Sequence, residues 1–298
     1  MWKFEEIKRA NGNLTEGPVW DGKGLIFTDG RSNRLLRYDP STNQTDIFFN
    51  HTEGPNGLNF NSKGELFGCE QKGRKIVKYQ GTGKKTVVDK LNGKRLSAPN
   101  DLAIDNNENI WFSDQIGNVD SKPSLSFSCV IKAEVNSRGE YEAKRMTYDC
   151  TSPNGLIFSK DYSRLYVAQS DFNGNQRRQL RSYELDKNSN LISHQVLHDF
   201  GPHRGIDGMA LDIEGNIIAT CGWEVSGPGP MICVFDENGR ILMSVRTPCM
   251  RPSNLAFGGK NLKDIYITSL EGHLYRVKNT GLKGNPLPLL RSANGKLE

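Results

Sequence analysis

Six times along this chain a proline, or a residue in its place, leads into a polar side chain, then Gly, Asp or Asn, then an apolar run. The copies read "TEGPVW", "GPNGLNF", "APNDLAI", "SPNGLIF", "GIDGMAL" and "RPSNLAF". Aligned on the polar residue they fall at Glu16, Asn56, Asn100, Asn154, Asp207 and Ser253, with spacings of 40, 44, 54, 53 and 46 residues. Self-similarity at such a period belongs to solenoids, propellers and repeat arrays, so it constrains the fold more than local propensity does.

Each copy continues through a turn into a second apolar run, as in "DGKGLIFTDG", "DNNENIWFSDQ" and "DIEGNIIATCG". Gly, Asn and Asp at the turn, with β-branched or aromatic residues after it, predict hairpins. A third alternating run follows in most copies ("NRLLRYD", "RKIVKYQ", "MICVFDE", "GHLYRVK"), and a fourth is visible as "TDIFFN", "KTVVDK", "AKRMTY" and "ILMSVR". The unit is therefore a four-stranded antiparallel sheet. Six such units predict an all-β six-bladed propeller, a radial arrangement that protects most strand edges. The last copy lacks a fourth strand, whereas "KFEEIKR" near the N-terminus is an alternating strand without a repeat of its own. Residues 3–9 are expected to close blade six, a joint that a ring requires and a solenoid does not. With 31 Gly and 13 Pro spread evenly and no linker-like stretch, one domain over residues 1–298 is expected.

The net charge of +5 is modest. Residues 72–95 hold nine Lys or Arg against one Asp, but no nucleic-acid motif accompanies them, so they read as a solvated outer strand pair. The six Cys form no Cys-x-x-Cys pair, and buried free thiols are expected. No run of about 18 apolar residues occurs, and "MWKFEEIKRA" lacks an apolar core segment, so neither a membrane span nor an intact signal peptide is expected. The compartment stays open between the cytoplasm and, if a signal peptide has been removed, the periplasm or the exterior. A monomer or weak dimer without nucleic-acid or membrane partners is expected.

In a propeller the innermost strands line a central channel, so equivalent repeat positions form a ring at one height. Glu16, Asn56, Asn100, Asn154, Asp207 and Ser253 would then converge on the axis. Two carboxylates and three amides buried together without partners are costly. A hard cation removes that cost: oxygen-only donors suit Ca²⁺, or Mg²⁺ and Mn²⁺, and the absence of His and Cys argues against a dedicated zinc site. Turn formation alone would explain the Asn-Gly pairs, but not Glu16 and Asp207 in the same register. The second strands return to the same mouth, ending at Asp29, Glu70, Asp114, Ser170, Cys221 and Ser269. Long loops at 115–128, 171–179 and 222–230 would rim it, as loops around ligand sites commonly do.

From "EGPVW" near the start to "IYITSLEGHLYRV" near the end, the chain resembles the SMP-30/gluconolactonase/LRE-like proteins, among them senescence marker protein 30 and gluconolactonase. The resemblance implies a six-bladed propeller with one catalytic divalent metal. In that family the Glu of the first "EGP", the Asn of "PND", the Asn of "PNGL" and the Asp of "DG" meet the metal, which carries over to Glu16, Asn100, Asn154 and Asp207. Diisopropylfluorophosphatase of the squid type uses a similar quartet. The implied cofactor is one divalent ion, Ca²⁺ first, with Mg²⁺, Mn²⁺ or Zn²⁺ as alternatives. Animal lactonases have an Arg two residues before the third-blade Asn, where this chain has Ala98. Asp114, in "WFSDQ", matches the Asp of the bacterial "FTDP" element, but Gln115 replaces its Pro.

The expected function is metal-dependent opening of a sugar lactone by a polarised carbonyl and an activated water, with the cation stabilising the oxyanion. Asp207 is the first choice for general base and Asp114 the alternative. Asn100, Asp114, His203 and His273 are expected to touch substrate, and either His could shuttle a proton. Two other functions fit the same ring: hydrolysis of organophosphate-type esters, and a non-catalytic, calcium-stabilised binding propeller. No G-x-S-x-G elbow or nucleotide-binding fingerprint is present.

Overall fold

The computed structural model describes residues 2–116, 125–171 and 177–290. Among these residues the chain forms six four-stranded antiparallel sheets and one two-stranded hairpin, Lys90–Leu91 with Lys94–Arg95, which the repeat pattern does not announce. The innermost strands of blades one to six are Thr15–Trp20, Pro55–Phe60, Pro99–Ile104, Pro153–Phe158, Ile206–Leu211 and Pro252–Gly258. Each inner strand touches the next in that order, and Thr15–Trp20 also touches Pro252–Gly258, so the ring is closed. The outermost strand of blade six is Phe4–Lys8, which pairs with Leu274–Val277 and places Phe4 opposite Val277 and Glu5 opposite Arg276. The first strand thus completes the last blade, as the orphan strand requires.

The hairpin turns explain why the strands stop where they do. Asp105 Oδ1 accepts the amide N–H groups of Asn107 (2.9 Å) and Asn109 (3.0 Å), while its Oδ2 accepts from Trp111 Nε1 (3.0 Å). Asp212 does the same for Glu214 and Asn216, and Asn61 for Lys63 and Glu65. A short acceptor side chain that satisfies the turn's own amides offers the backbone an alternative to the ladder.

The core lies between blades. Trp111, Tyr166 and Tyr266 are fully buried, and Trp20 of blade one stacks on Tyr266 of blade six with ring centroids 5.8 Å apart and planes at 15°. Outer strands such as Gln44–Asn50 and Leu191–Asp199 are largely solvated. The basic stretch lies on the outer half of blade two, where Lys75 and Lys84 pair with Glu53 and the buried Glu70. All six cysteines are buried without a disulfide. No helix among the described residues is long and apolar enough to cross a membrane. Beyond blade six the chain crosses the far end of the channel, held by hydrogen bonds from Ile213 N to Lys283 O, Gly284 N to Leu262 O and Asn285 N to Leu211 O, each 2.8 Å.

Candidate metal centre at the channel mouth

In every blade the ladder between first and second strands is interrupted at the repeat. The register shifts between Pro99 and Leu102, Pro153 and Leu156, and Ile206 and Met209, with counterparts in the other three blades. Such bulges leave residues outside the ladder and re-aim their side chains. In blades two to six the two residues left outside are the ring position and the one after it, which is Gly57, Asp101, Gly155, Gly208 or Asn254. In blade one Glu16 keeps its pairing with Thr28, and Gly17, the matching second position, is left out with Pro18.

Glycine is needed at this second position because the next inner strand passes against it. A Cβ on Gly17 would lie 2.2 Å from the Asn56 carbonyl oxygen, and one on Gly155 would lie 2.3 Å from that of Asp207. In two copies a side chain replaces the hydrogen, and both reach across the axis. Asn254 Nδ2 of blade six lies 3.3 Å from Asp101 Oδ2 of blade three and donates to Glu16 Oε2 at 3.0 Å. The sequence reading missed this axial pair. Its signal was present, since these are the two copies in which the repeated Gly is absent.

Around the pair, Glu16, Asn56, Asn100, Asn154 and Asp207 occupy the ring, all nearly or fully buried. Ser253, the sixth member, is turned into the blade, where its Oγ donates to the Thr15 carbonyl (2.8 Å) and meets Thr268 Oγ1 (2.9 Å). Glu16 Oε2 also accepts the Gly17 N–H at 2.6 Å. Asp207 accepts a hydrogen bond from the Asn154 amide and ion-pairs with Arg204, whose other terminal nitrogen donates to the Gly222 (2.9 Å) and Pro252 (3.0 Å) carbonyls. Arg204 was not foreseen, because nothing in "HRGIDG" by itself says that the Arg turns inward.

Burial pushes the Glu16 carboxyl well above its usual range, and the charges of Asp207 and Asp101 push it further. Burial lifts Asp101 to about 7, against hydrogen bonds from Leu102 N–H and Asn254. Asp207 is also raised by burial, opposed by the Arg204 charge and the Asn154 hydrogen bond. The buried Glu16 and Asp207 and the half-buried Asp101 therefore lie together, with one guanidinium in contact with Asp207. That excess of negative charge, beside the amide oxygens of Asn100 and Asn154, fits a hard divalent cation. Among the described residues no group of three or more His, Cys, Asp or Glu is arranged to hold a metal by itself, so such a site depends on the amides for half its donors.

The other expected residues divide. Asp114, fully buried, accepts the N–H groups of Ser97 (2.9 Å) and Ala98 (2.8 Å) and so anchors the loop that enters blade three, instead of pointing into the channel. Gln169 does the same in blade four for Thr151 (2.9 Å) and Ser152 (3.0 Å). His203 stands at the mouth under the 222–230 hairpin: a Cβ on Gly227 would come within 2.9 Å of its ring, and its Nδ1 is buried without a hydrogen-bond partner. His273 is not brought to the ring, because its Nδ1 lies 2.7 Å from Glu6 Oε1 on the strand that closes blade six. Of the rim loops, residues 117–124 and 172–176 lie outside the described residues. The 222–230 segment continues strands Ile217–Trp223 and Ser226–Phe235 as a hairpin, where Glu224 ion-pairs with Arg251 at 2.7 Å. On the far side of the axial pair a cavity of about 180 Å³ is lined by Ile104, Ile157 and Phe257 among others and floored by Leu287, Pro288 and Leu290.

A closed six-bladed propeller with a buried ring of carboxylate and amide oxygens at one end of its channel is the class these features define. Within it, the chain belongs to the SMP-30/gluconolactonase/LRE-like family, whose model matches residues 14–271. A gluconolactonase of Zymomonas mobilis is 28% identical over 285 residues, covering 86% of this chain and 76% of its own. The pentonolactonase XacC of Haloferax volcanii is 26% identical, covering 87% and 82%. A gluconolactonase structure from Xanthomonas campestris shares the fold, with a TM-score of 0.79 at 23% identity over 93% of this chain and 89% of that one.

Proposed function

We propose that this protein is a metal-dependent lactonase that hydrolyses a sugar lactone to its hydroxy acid. The observation that carries the proposal is the buried ring itself: Glu16 and Asp207 with the amides of Asn100 and Asn154, in a charge imbalance that a divalent ion would neutralise. The names of the Zymomonas and Haloferax relatives support the substrate class. Glu16, Asn100, Asn154 and Asp207 would hold the ion, Ca²⁺ first by the hardness of the donors. Bound there, it would supply Lewis acidity toward the lactone carbonyl and lower the pKa of a coordinated water.

The chain's own groups do the rest. Asp207 takes the proton of the attacking water, and its hydrogen bonds to Arg204 and Asn154 keep the carboxylate in one orientation. As water oxygen joins the acyl carbon, the ring C–O bond breaks and the leaving oxygen takes that proton. Asp114 acts by position, holding the loop that delivers Asn100 to the ring. His203 stands at the mouth with its Nδ1 buried against the 222–230 hairpin, so its other ring nitrogen would be the one to meet substrate hydroxyls. Ala98 offers no guanidinium for those hydroxyls, so the sugar preference of the animal lactonases does not carry over to this chain.

The test is acid release from a lactone panel including gluconolactone, using protein stripped by a chelator and reloaded with Ca²⁺, Mg²⁺, Mn²⁺ or Zn²⁺. Reloading is expected to restore activity, and Asp207→Ala to lower it by about 10²-fold or more. Absence of acid release with every ion, or an Asp207→Ala variant as fast as the parent, would refute the proposal.

A further inference from the structure

Arg204 places a buried positive charge inside the proposed metal centre. The residue is 3% exposed, and its guanidinium is shared among the Asp207 carboxylate and the Gly222 and Pro252 carbonyls. These acceptors belong to three different strands: the inner strand of blade five, the strand beside it, and the inner strand of blade six. A planar fork with five donors can satisfy all three at once, which a compact ammonium does less well.

Its charge acts in two directions. Without an ion, Glu16, Asp101 and Asp207 turn like charge toward one another, and Arg204 is the cation in contact with Asp207. With an ion, the same positive charge lies against one of its four proposed donors and opposes it, at a separation where low dielectric keeps the interaction strong.

We propose that Arg204 is an affinity-setting counter-cation: it compensates Asp207 in the metal-free protein and weakens divalent binding, so that the ion exchanges with solution. The inference rests on the metal-dependent reading above and deepens it. It differs from a purely structural role, in which Arg204 ties blades five and six together through the two carbonyls and its loss would destabilise metal-free and metal-loaded protein alike.

Calorimetric titration of the chelator-treated protein with Ca²⁺, and thermal melts with and without Ca²⁺, separate these cases for the parent, Arg204→Gln and Arg204→Lys. Arg204→Gln removes the charge but keeps an N–H donor. It is expected to bind Ca²⁺ about ten-fold tighter or more, and to widen the gap between the metal-free and loaded melting temperatures. Arg204→Lys keeps the charge and loses the fork, so it should melt lower in both states with an affinity close to the parent's. Equal or weaker Ca²⁺ binding by Arg204→Gln, or an equal loss of stability in both states, would overturn the inference while leaving the metal reading intact. If Arg204→Gln does not fold, Arg204→Lys decides: unchanged affinity supports control by charge, and altered affinity overturns it. A parent protein that takes up no Ca²⁺ and shows no lactonase activity with any ion would remove the metal reading itself.

Discussion

Replacing Gly155 by Ala tests the close approach of neighbouring blades on which the ring depends. The added Cβ would lie 2.3 Å from the carbonyl oxygen of Asp207 and 3.0 Å from the Cα of Gly208. Both are backbone atoms of the next inner strand, so no side-chain rotation relieves the clash. Non-bonded carbon contacts are comfortable at roughly 3.5 Å, which requires the two strands to part by about 1 Å. Overpacking of this kind costs about 1–3 kcal/mol, and a backbone partner places it near the upper end. At about 2–4 °C per kcal/mol for a large domain, a fall in Tm of roughly 6–12 °C is expected. The displaced carbonyl belongs to Asp207, and a misplacement of about 1 Å at a reacting group costs about 10²-fold in rate. Gly64→Ala is the control, because Gly64 has a φ of +75° but nothing within 4 Å of its would-be Cβ. It should lose about 1 kcal/mol from the left-handed turn and no activity. Thermal unfolding and initial lactone rates decide the matter: a Gly155→Ala variant with the parent's Tm and rate would mean that the blades do not meet as described.

Two further outcomes are expected. Asp114 is fully buried with its carboxyl lifted to about 6, so the folded state holds its proton more tightly than the unfolded chain does. Its contribution to stability is therefore complete below about pH 4 and lost as pH rises through about 6, some 3 kcal/mol in all. Asp114→Asn should flatten that part of the urea-stability profile between pH 4 and 7, and an unchanged slope would count against the assignment. Glu70, also fully buried, is held by Lys84 at 2.8 Å and more loosely by Lys75 at 3.6 Å. Lys84→Met should lower stability by about 1–3 kcal/mol, because the buried carboxylate is left with the more distant Lys75 and the Tyr79 hydroxyl at 3.4 Å. A urea midpoint equal to the parent's would contradict this.

Much of the architecture was legible in the chain because a repeat is local information written six times. The Pro-Asn-Gly phrase, the Asn- and Asp-rich turns and the alternating third strands each report their own backbone, and the missing fourth strand of the last copy pointed to the closing strand at Phe4–Lys8. The ring positions followed from the same register, since symmetry carries equivalent residues to equivalent heights. Symmetry is also where that reasoning went astray at Ser253, because a ring position predicts a location on the backbone and not the direction of the side chain.

What the sequence alone determined is the periodic part: six blades, their closure, and a set of carboxylates and amides at one height. What the tertiary structure decided is every pairing between blades. Asp101 and Asn254 are 153 residues apart yet meet across the axis, Asp114 is occupied by the loop behind it, and His273 is drawn to Glu6 at the seam. Arg204 reaches Asp207 only because blades five and six present two carbonyls that hold its other end. The physical reason is the same in each case. Hydrogen-bond and charge partners are chosen by distance in space within a desolvated interior, where an unpaired group is costly, and one strand's pattern carries no record of which distant strand will stand beside it.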